Sequence, residues 1–383
     1  FALSGTTSNW IRSYAMGATY TYRSIGSGSW SNPAIWQTLT ACGWISALTS
    51  PNYLDSTITI QSPHIITLNS TVTGDNIVIN SGGTLTVSGS GSLTLNGGVG
   101  NSLTIIGTCN LSGPTLSNGS GGTVSITSGG VFNFNSGTIT GNGDWTNNIG
   151  GNFNWTGTGS MFLSGTHTFT NNGTMTWPGT ANNIAYNGGT ITLQNNGAFN
   201  LSAPSFLHFN GDPSATFTFW NNTGGSITKP TTSTSTFDSF VSVYTNTGSA
   251  MTVSAGTLSL TGNCNVGGTL VVNNSATLTA NNISFSGPTL TNNGTLNTTN
   301  LQVVGASNQT INGNGSILNM TVANPSGITL GGSQSFNGLL TLTTGKIRTF
   351  AHTISILQTG NISSGSSSSY VNGFLQRNFP AGT

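Results

Sequence analysis

The chain has 383 residues, of which 3% are charged and 55 are Gly, and all five acidic residues are Asp. A net charge of +1 without any cluster of Lys or Arg cannot displace the counterions of a nucleic acid, so DNA and RNA are excluded as partners. No apolar run reaches the ~20 residues of a membrane-spanning helix. The 34% of apolar residues alternate with Thr, Ser and Asn, which argues for a packed core and against disorder.

Residues 1–50 differ from the rest. They hold Trp10, Trp30, Trp36 and Trp44, together with Arg12, Arg23, Tyr14, Tyr20 and Tyr22. Repeat arrays end in atypical units that close the core, and a Trp-rich segment suits that task. The same indoles also suit a platform on which sugars stack. The opening residues Phe1 to Gly5 show no basic segment followed by an apolar one, so they do not read as a signal peptide.

From Thr57 a short motif recurs. Gly83-Thr84-Leu85-Thr86-Val87 is a half-buried strand entered through a tight turn, with Leu85 and Val87 on one face and the threonines on the other. Gly-Thr followed by an apolar residue returns near 123, 138, 174, 190, 257, 269 and 295. Many Asn-Gly and Gly-Gly turns would suit antiparallel hairpins. An uncharged outer face without Lys to protect open edges favours stacked coils instead. The expectation is an all-β chain folded as a right-handed parallel β-helix, or β-solenoid, over 51–345. A capping or assembly segment precedes it at 1–50, and a closing segment follows at 346–383. Three strands per coil give roughly 22 to 28 residues per turn, about 12 to 14 coils and a rod of about 60 Å.

The middle coils carry larger side chains. Phe132, Phe134, Phe153, Trp155, Phe217 and Phe219 alternate with polar residues and read as core stacks, as do Leu258 and Leu260 further on. Residues 221–236 break the alternation and read as an exposed loop. Ser112-Gly113-Pro114-Thr115-Leu116, Ser202-Ala203-Pro204-Ser205-Phe206 and Ser286-Gly287-Pro288-Thr289-Leu290 recur about 84 to 90 residues apart, which suggests three related blocks.

The run Ser27-Gly28-Ser29-Trp30 to Trp36, then Asp55 to Ile60, His64 to Leu68 and Ile77 to Leu85, resembles the opening of large secreted repeat proteins of Bacteroidota-type bacteria. Leu340 to Ile347 and Gly373 to Arg377 resemble the segment that closes such solenoids. The resemblance implies export and a place on or outside the cell surface. It brings no activity with it. Members usually continue into a C-terminal sorting or anchoring domain, which is not recognisable in this sequence.

Residues for chemistry are scarce. Glycoside cleavage needs two carboxylates about 5 to 9.5 Å apart. Asp55 and Asp75 are the two about one coil apart, and both stand where Asp is good turn chemistry. The four His are scattered and lack metal-ligand spacing, and the dense Asp of calcium-binding coils is missing. No enzyme activity, cofactor or metal is expected. Cys109 and Cys264 fall in phase with inward residues and read as small buried hydrophobes. Outward Thr-x-Thr pairs suggest an ice-binding face, but their spacing in sequence is irregular.

The resulting expectation is an extracellular structural protein, either a self-assembling filament subunit or an adhesin stalk. In the filament, the C-terminal coil of one copy stacks on the N-terminal part of the next. The candidate capping and assembly residues are Trp10, Trp30, Trp36 and Trp44 at one end and Arg348 and Arg377 at the other. The alternative is a glycan-binding adhesin using Trp220 or the N-terminal indoles.

Overall fold

The computed structural model describes residues 19–379 apart from 158–160, 178–181, 203 and 210–214. Alternation dictates its form. Leu85 and Val87 are fully buried while Thr84 and Thr86 stay at the surface, and the same in–out pattern holds in strand after strand. A strand with only one apolar face must cover that face. Here each covers it by curling into a three-sided coil whose inward residues meet at the axis.

The N-terminal part supplies β1 (Thr21–Ser24), β2 (Gly28–Ser29), β3 (Trp36–Thr40) and β4 (Gly43–Ser46). The first complete turn is β5 (Thr57–Ile60), β6 (Ile65–Leu68) and β7 (Val72–Gly74), and β8 (Ile77–Ile79) begins the second. From there each strand pairs in parallel with the strand one turn on, as β5 does with β8. The result is a parallel β-solenoid of about 14 turns. The period varies from 18 residues between Thr277 and Thr295 to 30 between Ser205 and Ser235. From Gly256 onward, long strands such as Gly256–Val266 and Ala276–Phe285 bend round a corner and serve two faces.

Register holds one column of core residues together along the face that β6 begins. Ile66 lies under Leu85, then Cys109, Phe132, Phe153, Met175, Phe199, Ile227, Met251, Leu270, Leu290, Ile311 and Leu330. Cys109 therefore fills the place of a hydrophobe between Leu85 and Phe132, and Cys264 does so between Val243 and Ile283. Both thiols are buried and free, and burial pushes each up to about 12. Leu258 and Leu260 stack on Leu278 and Ala280 in the same way.

Corners are turned by glycine and asparagine. Gly137 has φ +99°, and a Cβ there would run into the Gly113 carbonyl of the turn below. That close approach of backbones leaves room for Gly alone. One corner is lined inside by Asn118, Asn147, Asn171, Asn195 and Asn221, all at most 3% exposed. Asn147 Nδ2 donates to Asn171 Oδ1, Asn171 to Asn195 and Asn195 to Asn221, each at 2.7 Å. The second amide hydrogen of each goes to a backbone carbonyl of the next turn, those of Thr174, Ala198 and Ser226. A parallel outer ladder joins Asn172, Asn196, Asn222 and Asn246 at 2.8 to 2.9 Å.

Two local expectations are corrected. Residues 221–236 are not a loop throughout, since they contain the strand Ser226–Lys229 and the start of Thr234–Phe237. Lys229 continues the inward phase of Ile227 and is fully buried, where its Nζ donates to Thr231 O at 2.6 Å, Thr231 Oγ1 at 2.8 Å and Ser233 Oγ at 3.1 Å. Those oxygens satisfy the ammonium without any acid. The three Ser-x-Pro segments are not equivalent either. Those at 112 and 202 precede strands of the face that β7 begins, whereas the one at 286 precedes Thr289–Asn292 on the β6 face.

Candidate functional sites

The N-terminal end is closed. β1 pairs in parallel with β5 on one side and antiparallel with β3 on the other, and β4 extends the sheet beyond β3. Trp30 and Trp36, 2% and 0% exposed, meet edge to face at 5.2 Å beneath this sheet. Their indole N–H groups donate to Pro51 O at 3.0 Å and Trp30 O at 2.9 Å. Buried and satisfied in this way, the two rings present no face to a sugar. Trp44 lies on the outer surface, with the Arg23 guanidinium 4.2 Å above its ring. Arg23 also donates twice to Gln37 Oε1, at 2.9 and 2.7 Å. Trp10 lies outside the described residues.

At the other end Arg348 faces outward over Thr329, while Arg377 takes the inward register of Ile356. Trp220 is outward and stacks on Tyr244 of the next turn at 4.3 Å and 17°. One of its indole faces is thus occupied from within the protein. The aromatics Phe132, Phe134, Phe153, Trp155, Phe217 and Phe219 are all buried in the core.

Asp55 and Asp75 serve turns. Asp55, 6% exposed, accepts from Asn52 N at 2.7 Å and Tyr20 N at 3.3 Å, which ties the N-terminal segment to the first turn. Burial raises its pKa, and the two amides oppose the rise. Asp75 accepts from the amide of Asn76, a residue held at φ +48°. A groove of about 320 Å³ beside Asp75 is lined by Asn76, Gly98, Val99, Asn101 and Ser102, with no second acid and no base. Among the described residues no three His, Cys, Asp or Glu side chains lie close enough to share a metal ion. No helix among them is long and apolar enough to cross a membrane.

One titratable group deep in the core has a measurable consequence. His167 is 3% exposed, rests against the edge of Phe169 at 5.0 Å, and its Nδ1 lies 3.2 Å from Gly141 O. Its Nε2 is buried without a partner. Burial holds its pKa below the usual imidazole range, against the opposing pulls of the Gly141 carbonyl and the Asp144 charge. The unfolded chain therefore takes up a proton near pH 6.5 that the folded chain refuses. The His167 contribution is fully present above that pH and is lost as pH falls below it. Urea midpoints measured from pH 8 to pH 5 should drop below about pH 6.5, and His167→Phe should flatten that drop.

Comparison of the chain with protein-family models and with curated proteins finds no match.

Proposed function

We propose that the protein is an extracellular structural rod, the stalk of a surface adhesin, with no catalytic role. The observation that carries this reading is the unbroken core column from Ile66 to Leu330, in which every turn buries its apolar face against two neighbours. Such a column resists bending, and its outer surface of Thr, Ser and Asn is sparse in charge. The resemblance to secreted repeat proteins supports the extracellular setting. A filament built from many copies is the second reading, favoured by a chain of which 3% is charged and which therefore lacks the repulsion that keeps copies apart.

Negative-stain electron microscopy separates the two. With about 4.8 Å per turn, isolated straight rods of about 70 Å are expected at low protein concentration. Long filaments with a regular axial repeat would replace the stalk with the fibre.

A further inference from the structure

Strand pairing gives one face a regularity that the sequence hides. Thr234 lies under Thr257, Thr257 under Thr277 and Thr277 under Thr295. The rank continues through Ser316, Ser335 and Ser355, so seven consecutive turns carry a hydroxyl at the same place. Two residues further along the strand, Thr236, Ser259, Thr279 and Asn297 form a second rank beside the first four. The residues between the ranks, such as Ser235, Leu258, Leu278 and Leu296, are buried, and the ranks themselves are exposed or half-buried. Both ranks therefore point outward, and none of their members is charged or aromatic. The face that carries Trp220 and Tyr244 differs, because those two rings interrupt one of its rows.

We propose that these ranks bind ice, with the ordered water of a crystal surface as their ligand. Neighbouring hydroxyls stand about 4.8 Å apart along the rod and about 6.7 Å apart along the strand. That mesh is close to the repeat of oxygen atoms on the faces of an ice crystal. Threonine is suited to carry it, because its branched side chain is stiff at χ1 and keeps hydroxyl and methyl where the backbone puts them. Little side-chain freedom is then lost when water is ordered over the face. A single hydroxyl–water bond contributes almost nothing net, since the same bond forms with liquid water. A preference for ice over liquid needs many such groups engaged at once in one register, and seven successive turns supply them.

The chemistry of the face argues against other occupants. A charged partner or an ionic mineral would need complementary charge, and the ranks carry none. A sugar chain would need rings on which to stack, and the ranks carry none of those either. The turns that bear the ranks vary from 18 to 23 residues, so their Thr-x-Thr pairs look unrelated in sequence although pairing sets them in line. The proposal holds equally for a stalk and for a filament subunit.

The test uses the full chain and ice grown slowly on a cold finger from dilute protein. The wild type should be enriched in the ice over an inert protein of similar mass, and should halt the recrystallisation of small ice grains. A lysine in the middle of the ranks would hold its own water out of register, so Thr277→Lys and Thr257→Lys should each lower the enrichment at least about fivefold. Thr104→Lys should leave it unchanged, since Thr104 is outward on the face that carries Trp220. All three positions are half-buried strand residues that point outward, so unchanged circular dichroism and melting temperature will show that the variants are folded. No enrichment, an enrichment that survives both rank variants, or an equal loss in Thr104→Lys would overturn the proposal. So would sedimentation in which wild-type chains associate and Thr277→Lys disperses them while neither enters the ice, which would assign the ranks to a second copy.

Discussion

Replacing Asn171 with Ala is expected to lower stability by about 3 to 6 kcal/mol, since several buried polar groups lose a partner at about 1 to 3 kcal/mol each. The side chain accepts from Asn147 Nδ2 and donates both to Asn195 Oδ1 and to the Ala198 carbonyl. Alanine leaves all three unanswered inside a corner that is closed to water, because Asn171 and Asn195 are 0% exposed. The adjacent Asn172 is the control. Its Oδ1 also accepts from an asparagine one turn on, Asn196, but at the exposed surface, where water can replace the lost bond. Asn172→Ala should therefore cost no more than about 0.5 kcal/mol. Urea unfolding of the two variants measures the difference directly. Equal midpoint shifts would mean that the inner ladder contributes no more than the outer one.

These two residues also show what the sequence made legible. The architecture could be read because alternation has a period of two, and a one-residue slip would expose every apolar side chain. The inner ladder was missed because Asn at the end of a strand is so often a turn residue that it is read as one. The missing signal was parity. In Trp145-Thr146-Asn147, Phe169-Thr170-Asn171 and Leu193-Gln194-Asn195 the Asn stands two residues beyond an inward aromatic or Leu, so the strand's own phase carries it inside. Ile227-Thr228-Lys229 obeys the same rule, which is how a lysine came to be buried.

The polar ends were harder to read, because terminal residues take their meaning from a neighbour that sequence alone does not supply. Trp30 and Trp36 are core because β3 and β4 fold back over the edge of β1. Arg377 is inward by register yet exposed, since no described strand lies beyond it. The Thr-x-Thr pairs look irregular in sequence, but pairing aligns some of them. Thr190 and Thr192 lie directly under Thr216 and Thr218, and Thr168 lies under Thr192. Variable corner lengths hide that alignment from any count of residues.

Trp155→Ala is the second large effect, with an expected cost of about 3 to 5 kcal/mol for a buried aromatic removed from a packed core. The ring is 1% exposed, with Trp177 at 5.1 Å, Phe153 at 5.5 Å and Phe134 at 6.4 Å between ring centres. Its loss opens a cavity where several turns share one aromatic cluster. In a solenoid each turn touches only its neighbours, so the damage should stay local. Hydrogen exchange should quicken in the strands of Phe134, Phe153 and Trp177 while those of Leu258 and Leu260 keep their protection. Trp155→Phe separates volume from polarity. The indole N–H of Trp155 is buried without an acceptor, so phenylalanine removes an unmet donor along with part of the ring. The two changes oppose each other, and the net effect should be within about 1.5 kcal/mol of wild type. If exchange rose equally at Leu258, neighbour-only coupling would be wrong, and the rod would have to open as one unit.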